Sequence, residues 1–189
     1  MSDIKVFSDY ELLEIGIKFE DSQAYETADC IGSGEDAADA KSVVKKCRGV
    51  VRKKIVKGIG TGVHKLSLHC PWSIYTKMFG MKHDSLKDGV YAYGEKSRHT
   101  PFSMVQRIND EDGNEKLKAY PNCIIETGKA VKIENGAEEV AQVELEVSYM
   151  PDEHGHGSYE TIVSELKDDT IKTKWMTAFE PSLVQVASA

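Results

Sequence analysis

Long apolar runs are missing from this 189-residue chain. None approaches the roughly 20 residues needed to cross a bilayer, so no membrane insertion is expected. The opening MSDIKVFSDYELLEIG has neither a basic n-region nor an apolar h-region, so a chain assembled in the cytoplasm is expected. Cysteine is sparse and scattered. Cys30, Cys47, Cys70 and Cys123 form no CxxC pair, which excludes a disulfide framework or a zinc knuckle and leaves free thiols, mostly buried. An excess of positive charge is missing too. The formal net charge is -7, against the basic footprint that general affinity for nucleic-acid phosphates requires.

Catalytic signatures are equally scarce. There is no GxSxG and no local Cys/His signature. Gly58 to Lys65, GIGTGVHK, is glycine-dense but lacks P-loop spacing and leads into a strand, where no helix N-terminus would face a phosphate. His154 and His156, with Asp152 and Glu153, are the best local metal ligands, yet Gly155 and Gly157 give them no rigid support. Glu144 and Glu146 share a strand face without the aromatic cleft that glycosidase acids need. No enzymatic activity, metal or cofactor is expected.

What is present is a strand-rich soluble composition, 40% hydrophobic and 29% charged, read as one domain over residues 1–189. Val140 to Met150, VAQVELEVSYM, sets the pattern. Ala141, Val143, Leu145, Val147 and Tyr149 share one parity, while Gln142, Glu144, Glu146 and Ser148 share the other. One face needs a core, and the acidic face belongs to solvent, a lumen or a partner. Alternation also predicts strands over Tyr10 to Phe19, Cys47 to Lys57, Val63 to Cys70, Lys87 to Gly94, Phe102 to Ile108 and Lys116 to Glu126. A Gly58 to Gly62 turn joins the second and third, Asp112-Gly113 marks a hairpin, and Pro121 marks an edge or bulge. A tight turn is expected at Glu134-Asn135-Gly136. Pro71 to Met81 changes to helical period, with Trp72, Tyr75 and Phe79 on a face to be buried. Tyr159 to Lys167 and Thr170 to Met176 are weaker helices, and 177–189 reads as a C-terminal arm.

Residues 20–46 show no period and read as a long inter-strand loop of small and acidic residues. Glu20, Asp21, Glu26, Asp29, Glu35, Asp36 and Asp39 come first; Lys45, Lys46, Arg48, Arg52, Lys53, Lys54 and Lys57 follow. The two blocks are complementary. Within one subunit they could pair; between subunits the acidic loop (Glu26, Asp29, Glu35, Asp36, Asp39) would meet the basic surface (Lys45, Lys46, Arg48, Arg52, Lys53, Lys54) head to tail.

The ordered segments GVVRKKIVKGIGTGVHKLSLHCPWSIYTKMFGM, LKDGVYAYGEKSRH, DEDGNEKLKAYPNC, KIENGAEEVAQVELEVSYMPDEHG, KWMTAF and PSLV resemble the major tail (tail tube) proteins of siphophages and related prophages. The likeness runs from about Cys47 to Val184. It implies a mainly β (α+β) two-sheet sandwich or half-barrel with a flanking helix, assembled as six-fold rings stacked into a tube. The implied partners are further copies of the chain, the tape measure protein in the lumen, and terminator and distal or baseplate proteins at the tube's ends. DNA would pass through transiently without specific binding, and the location would be the virion, after assembly in the host cytoplasm. On this reading Glu144 and Glu146 are the residues expected to face the lumen. Another ring-forming tail component, such as a terminator or a baseplate-proximal tube protein, a β-sandwich module binding carbohydrate or a host surface, and a small hydrolase are the alternatives.

Overall fold

The computed structural model describes residues 6–133, 135, 136, 138 and 140–186; Glu134 and residues 187–189 of the expected turn and arm lie outside them. The chain is mainly β. Its strands are β1 (Glu11–Phe19), β2 (Glu26–Ala28), β3 (Ile31–Cys47), β4 (Val50–Leu68), β5 (Phe102–Asn109), β6 (Glu115–Ile125), β7 (Val143–Met150) and β8 (Tyr159–Ile162). The helices are α1 (Trp72–Met78) and α2 (Asp169–Ala178). Every strand pairing is antiparallel, in the order β2-β1-β5-β6-β7-β4-β3, with β8 also on β6.

One hydrogen-bonded sheet therefore stands where two separate sheets are expected. It curls, so that β3 passes over β1, and a Cβ added at Gly34 would lie 3.0 Å from Leu12 Cδ2. The half-barrel half of the expectation is the better description. Its concave face carries Ile15, Ile17 and Phe19, then Leu66 and Leu68, and Leu145, Val147 and Tyr149, closed by Ile74, Tyr75 and Met78 of α1. The period-two reading holds from Val143, with Leu145, Val147 and Tyr149 at 2% exposure or less, but the strand begins there and not at Val140, and Ala141 is exposed. On the convex face α2 lays Trp175, Met176 and Phe179 against Val105, Leu117 and Ala119, and Trp175 Nε1 donates to Lys118 O at 3.1 Å.

Several local expectations are corrected. Residues 20–46 are not one loop: β2 and the 17-residue β3 occupy most of the span. The pattern hides β3 because, the Asp36 side chain apart, residues 32–59 are exposed, and a ribbon wet on both faces needs no apolar alternation. The Gly58 to Gly62 turn is instead a bulge inside β4, which runs unbroken for 19 residues. Pairing passes from Ala38↔Gly62 to Ala40↔Gly58, so Asp39 alone faces Ile59, Gly60 and Thr61, with Gly60 at φ 77. Lys87 to Gly94 forms no strand; Tyr91 and Tyr93 turn onto Trp72 and Phe79. Trp72 itself is 58% exposed and not buried with Tyr75. Tyr159 to Ile162 is a strand because β7 ends opposite Asn122, leaving the edge of β6 at Lys116 to Ala119 for β8 to fill. Residues 177–184 do not project as an arm: Phe179 is buried and Leu183 and Val184 pack beside it, while Gln185 and Val186 are exposed. Cys30 and Cys47 are exposed, so only Cys70 and Cys123 meet the expectation of covered thiols.

Candidate assembly interface

Beyond the Gly60 bulge, β3 and β4 leave the body as a two-stranded hairpin closed by Arg48 (φ 52) and Gly49 (φ 79), the backbone of a tight two-residue turn. From Gly58 to the tip it reaches roughly 25 to 30 Å, at about 3.3 Å per residue. Residues 40–58 hold eight Lys and Arg and no acid: Lys41, Lys45, Lys46, Arg48, Arg52, Lys53, Lys54 and Lys57. The other 170 residues carry the remaining 16 basic side chains against all 31 acidic ones. Register sharpens this segregation. Lys41 lies directly opposite Lys57, and Lys45 opposite Lys53. Like charges facing each other across a strand pair are unfavourable, so the free ribbon stores repulsion that an acidic partner would relieve.

The hairpin also exposes Val43, Val44, Val50, Val51, Ile55, Val56 and Ile59, each at 40% or more. An isolated two-stranded ribbon is at best marginally stable in water. Among the described residues none of its basic side chains has an ion-pair partner on the body. The six basic residues singled out from the sequence, Lys45, Lys46, Arg48, Arg52, Lys53 and Lys54, are thus brought together at one tip.

The acidic set is split. Glu26 lies on β2, within 3.4 Å of Ser73 Oγ, and Asp29 is exposed just before β3. Glu35 faces Lys65 across the β3–β4 pair, and Asp39 Oδ2 accepts from Thr61 Oγ1 at 2.7 Å in the bulge. Asp36 turns inward. Its side chain, 22% exposed, accepts from Lys118 Nζ at 2.7 Å and Tyr120 OH at 2.9 Å. Burial works to raise the Asp36 pKa, but His64, Lys118 and Tyr120 outweigh it and hold the carboxyl well below the usual carboxylate range. His64 Nδ1 stands 3.9 Å from Asp36 Oδ1, an electrostatic contact longer than a hydrogen bond, while its Nε2 lies 2.8 Å from Gln106 Nε2. This cluster ties β3, at the root of the hairpin, across the concave face to β5 and β6.

The sequence reading passed over that cluster, although signals were there. His64 shares parity with Leu66 and Leu68, and Gln106 with Phe102 and Met104; both are polar at core positions. It also missed what Asp152 does. Its Oδ1 accepts from the backbone N–H of His154 at 2.9 Å and His156 at 3.0 Å, and Tyr159 OH donates to Oδ2 at 2.6 Å. The 151–158 loop is folded around that carboxylate, and among the described residues no three His, Cys, Asp or Glu side chains converge as a metal site.

Glu144 and Glu146 lie on the convex side of β7. Glu146 is 3.9 Å from Lys65 of β4, and Glu144 faces Ser67. A separate cleft of about 630 Å³ opens where β1 ends and β5 begins, between Phe19, Phe102 and the Phe179–Pro181 segment.

No protein-family model matches the chain, and no curated protein does. Among solved structures it is similar to the tube-terminating cap of the anti-feeding prophage, determined by cryo-electron microscopy, with 8% identity and a TM-score of 0.47 over 86% of this chain and 97% of that one. The functional reading rests on the chain's own residues and geometry.

Proposed function

We propose that the chain is a structural subunit of a phage tail tube, polymerising as stacked, six-membered rings and performing no catalysis. The observation that carries this reading is the basic, aliphatic-bearing hairpin: among the described residues nothing of its own subunit covers it, and the body of another copy carries the acidic excess that would complement it. A projecting element that fits a different patch on an identical molecule makes a heterologous contact, the kind that repeats. The edge strand β3 supports the same reading, because joining edges across subunits removes unpaired backbone groups. In the tube, Glu144 and Glu146 face the bore, the tape measure protein occupies it, and DNA later slides past carboxylates that repel its phosphates. Terminator and distal proteins meet the two open ends.

The test is electron microscopy of the purified full chain beside a variant in which Lys45, Lys46, Lys53 and Lys54 are replaced by Glu. Rings or tubes are expected from the first, and folded, unassembled subunits from the second. A wild-type chain that stays monomeric at high concentration overturns the reading. A second reading, a glycan-binding module, draws on Trp72 at 58% exposure beside Tyr91. Saturable sugar binding lost in Trp72→Ala would favour it.

A further inference from the structure

We propose that the cleft between the β1–β2 turn and the Phe179–Pro181 segment is the socket for the hairpin tip of another copy. The proposal rests on the assembly reading above and adds the receiving site.

Direction is the first argument. Through the chain of antiparallel pairings, β1, β6 and β4 run the same way. The hairpin tip, at the start of β4, therefore points toward the end where β1 begins. The cleft lies at the other end, where β1 finishes at Phe19 and β5 starts at Phe102. A projection leaving one end and a recess at the opposite end are the two halves of a head-to-tail contact that propagates instead of closing a pair.

Chemistry is the second. The tip presents Val50 and Val51, 57% and 52% exposed, beside the Arg48 guanidinium. The cleft offers Met150, 48% exposed, as its open apolar wall over Phe102 and Phe179, which are buried beneath it, with Glu20 and Glu180 among its wall residues. Lys18 pairs with Glu180, and Lys77 with Asp21 at 2.5 Å, which leaves Glu20 as the wall carboxylate without a pairing lysine among the described residues. At about 630 Å³ it falls within the roughly 300–1,000 Å³ range of recesses that hold a guest. Methionine suits an apolar wall that must adapt to its occupant.

Native chemistry supplies the test. Cys47 is exposed at the last position of β3, next to the tip. In the full chain carrying Cys30→Ser, Gln23→Cys places a second thiol on the cleft wall, while Glu111→Cys places one in the β5–β6 turn at the opposite end. Under diamide, Gln23→Cys is expected to give a ladder of covalent oligomers on non-reducing gels. It should exceed the Glu111→Cys control by about tenfold or more, since docking raises the local thiol concentration toward millimolar. Cys47→Ser should abolish it. Arg48→Glu should weaken assembly, and Arg48→Glu with Glu20→Lys should restore it. Tubes that form through the hairpin while Gln23→Cys gives no more ladder than the control would overturn the socket and leave the assembly reading standing. A monomeric wild type overturns both. A DNA duplex that binds the hairpin and suppresses the ladder would assign the tip to a polyanion and also sink the proposal.

Discussion

Gly80 closes α1 with φ 56, and a Cβ built there would sit 2.0 Å from the Arg98 carbonyl oxygen. Neither the dihedral nor the space tolerates a side chain. The left-handed conformation and the backbone clash each cost about 1–3 kcal/mol, so Gly80→Ala is expected to destabilise the subunit by roughly 2–6 kcal/mol. Chemical denaturation reads this directly, and an unchanged midpoint would contradict the packing of α1 described here. Asp36 makes a pH prediction. Its folded pKa lies below the roughly 3.9 of an unfolded aspartate, so its stabilisation is present above about pH 4 and is lost as pH falls toward the folded value. Asp36→Asn should cost about 2 kcal/mol at pH 7, because Lys118, only 11% exposed, loses its 2.7 Å carboxylate partner and keeps only Glu160 at 3.9 Å. The gap between wild type and variant should narrow by pH 3; a gap of constant size would remove the carboxylate from the account.

The hairpin and the sheet it springs from are held by different forces. β1, β5, β6 and β7 have a concave core in which Ile15, Met104, Tyr120 and Val147 are fully buried. Beyond Gly60 the ribbon has only its own ladder. Amides in 40–47 and 50–58 are therefore expected to exchange much faster than those of β5 to β7 in the free subunit, and to become protected on assembly. Equal protection in both states would mean that the ribbon is not where subunits meet. The same contrast explains what could be read in the sequence. β7 was legible from Val143 onward because burial on one face forces alternation, and the Pro121 bulge because proline removes a ladder donor: pairing shifts there from Met104↔Tyr120 to Phe102↔Cys123. β3 was illegible because its identity comes from Val- and Ile-bearing β4 across the ladder, not from a core. The charge blocks were visible, but their placement was not. Register sets Glu35 and Asp36 at the root beside Lys65 and His64, and gathers the lysines at the tip, so neither block neutralises the other.

At the scale of the whole molecule, the question is which sheet face a tube would turn toward its bore. The concave face is filled by core and by α1, and part of the convex face is covered by α2. That leaves the convex side of β7 and β4, where Glu144 and Lys65 are exposed and Glu146 is half-exposed. An ion pair at 3.9 Å between half-exposed groups contributes only about 0 to 1 kcal/mol, so replacing these carboxylates should leave folding and assembly intact. Its effect would be on traffic. Glu144→Lys with Glu146→Lys converts two negative charges per subunit into two positive ones, and a ring multiplies the change by its number of copies. Phosphates passing such a surface would be retained, with a dependence on salt that counterion release makes steep. Tubes of normal length that hold DNA at low ionic strength and release it as salt rises are the expected result, measured by retention of a short duplex on purified tubes. Should the double variant retain no more DNA than the parent at any salt, the Glu144 and Glu146 face is an outer wall, and the bore is lined by another part of the chain.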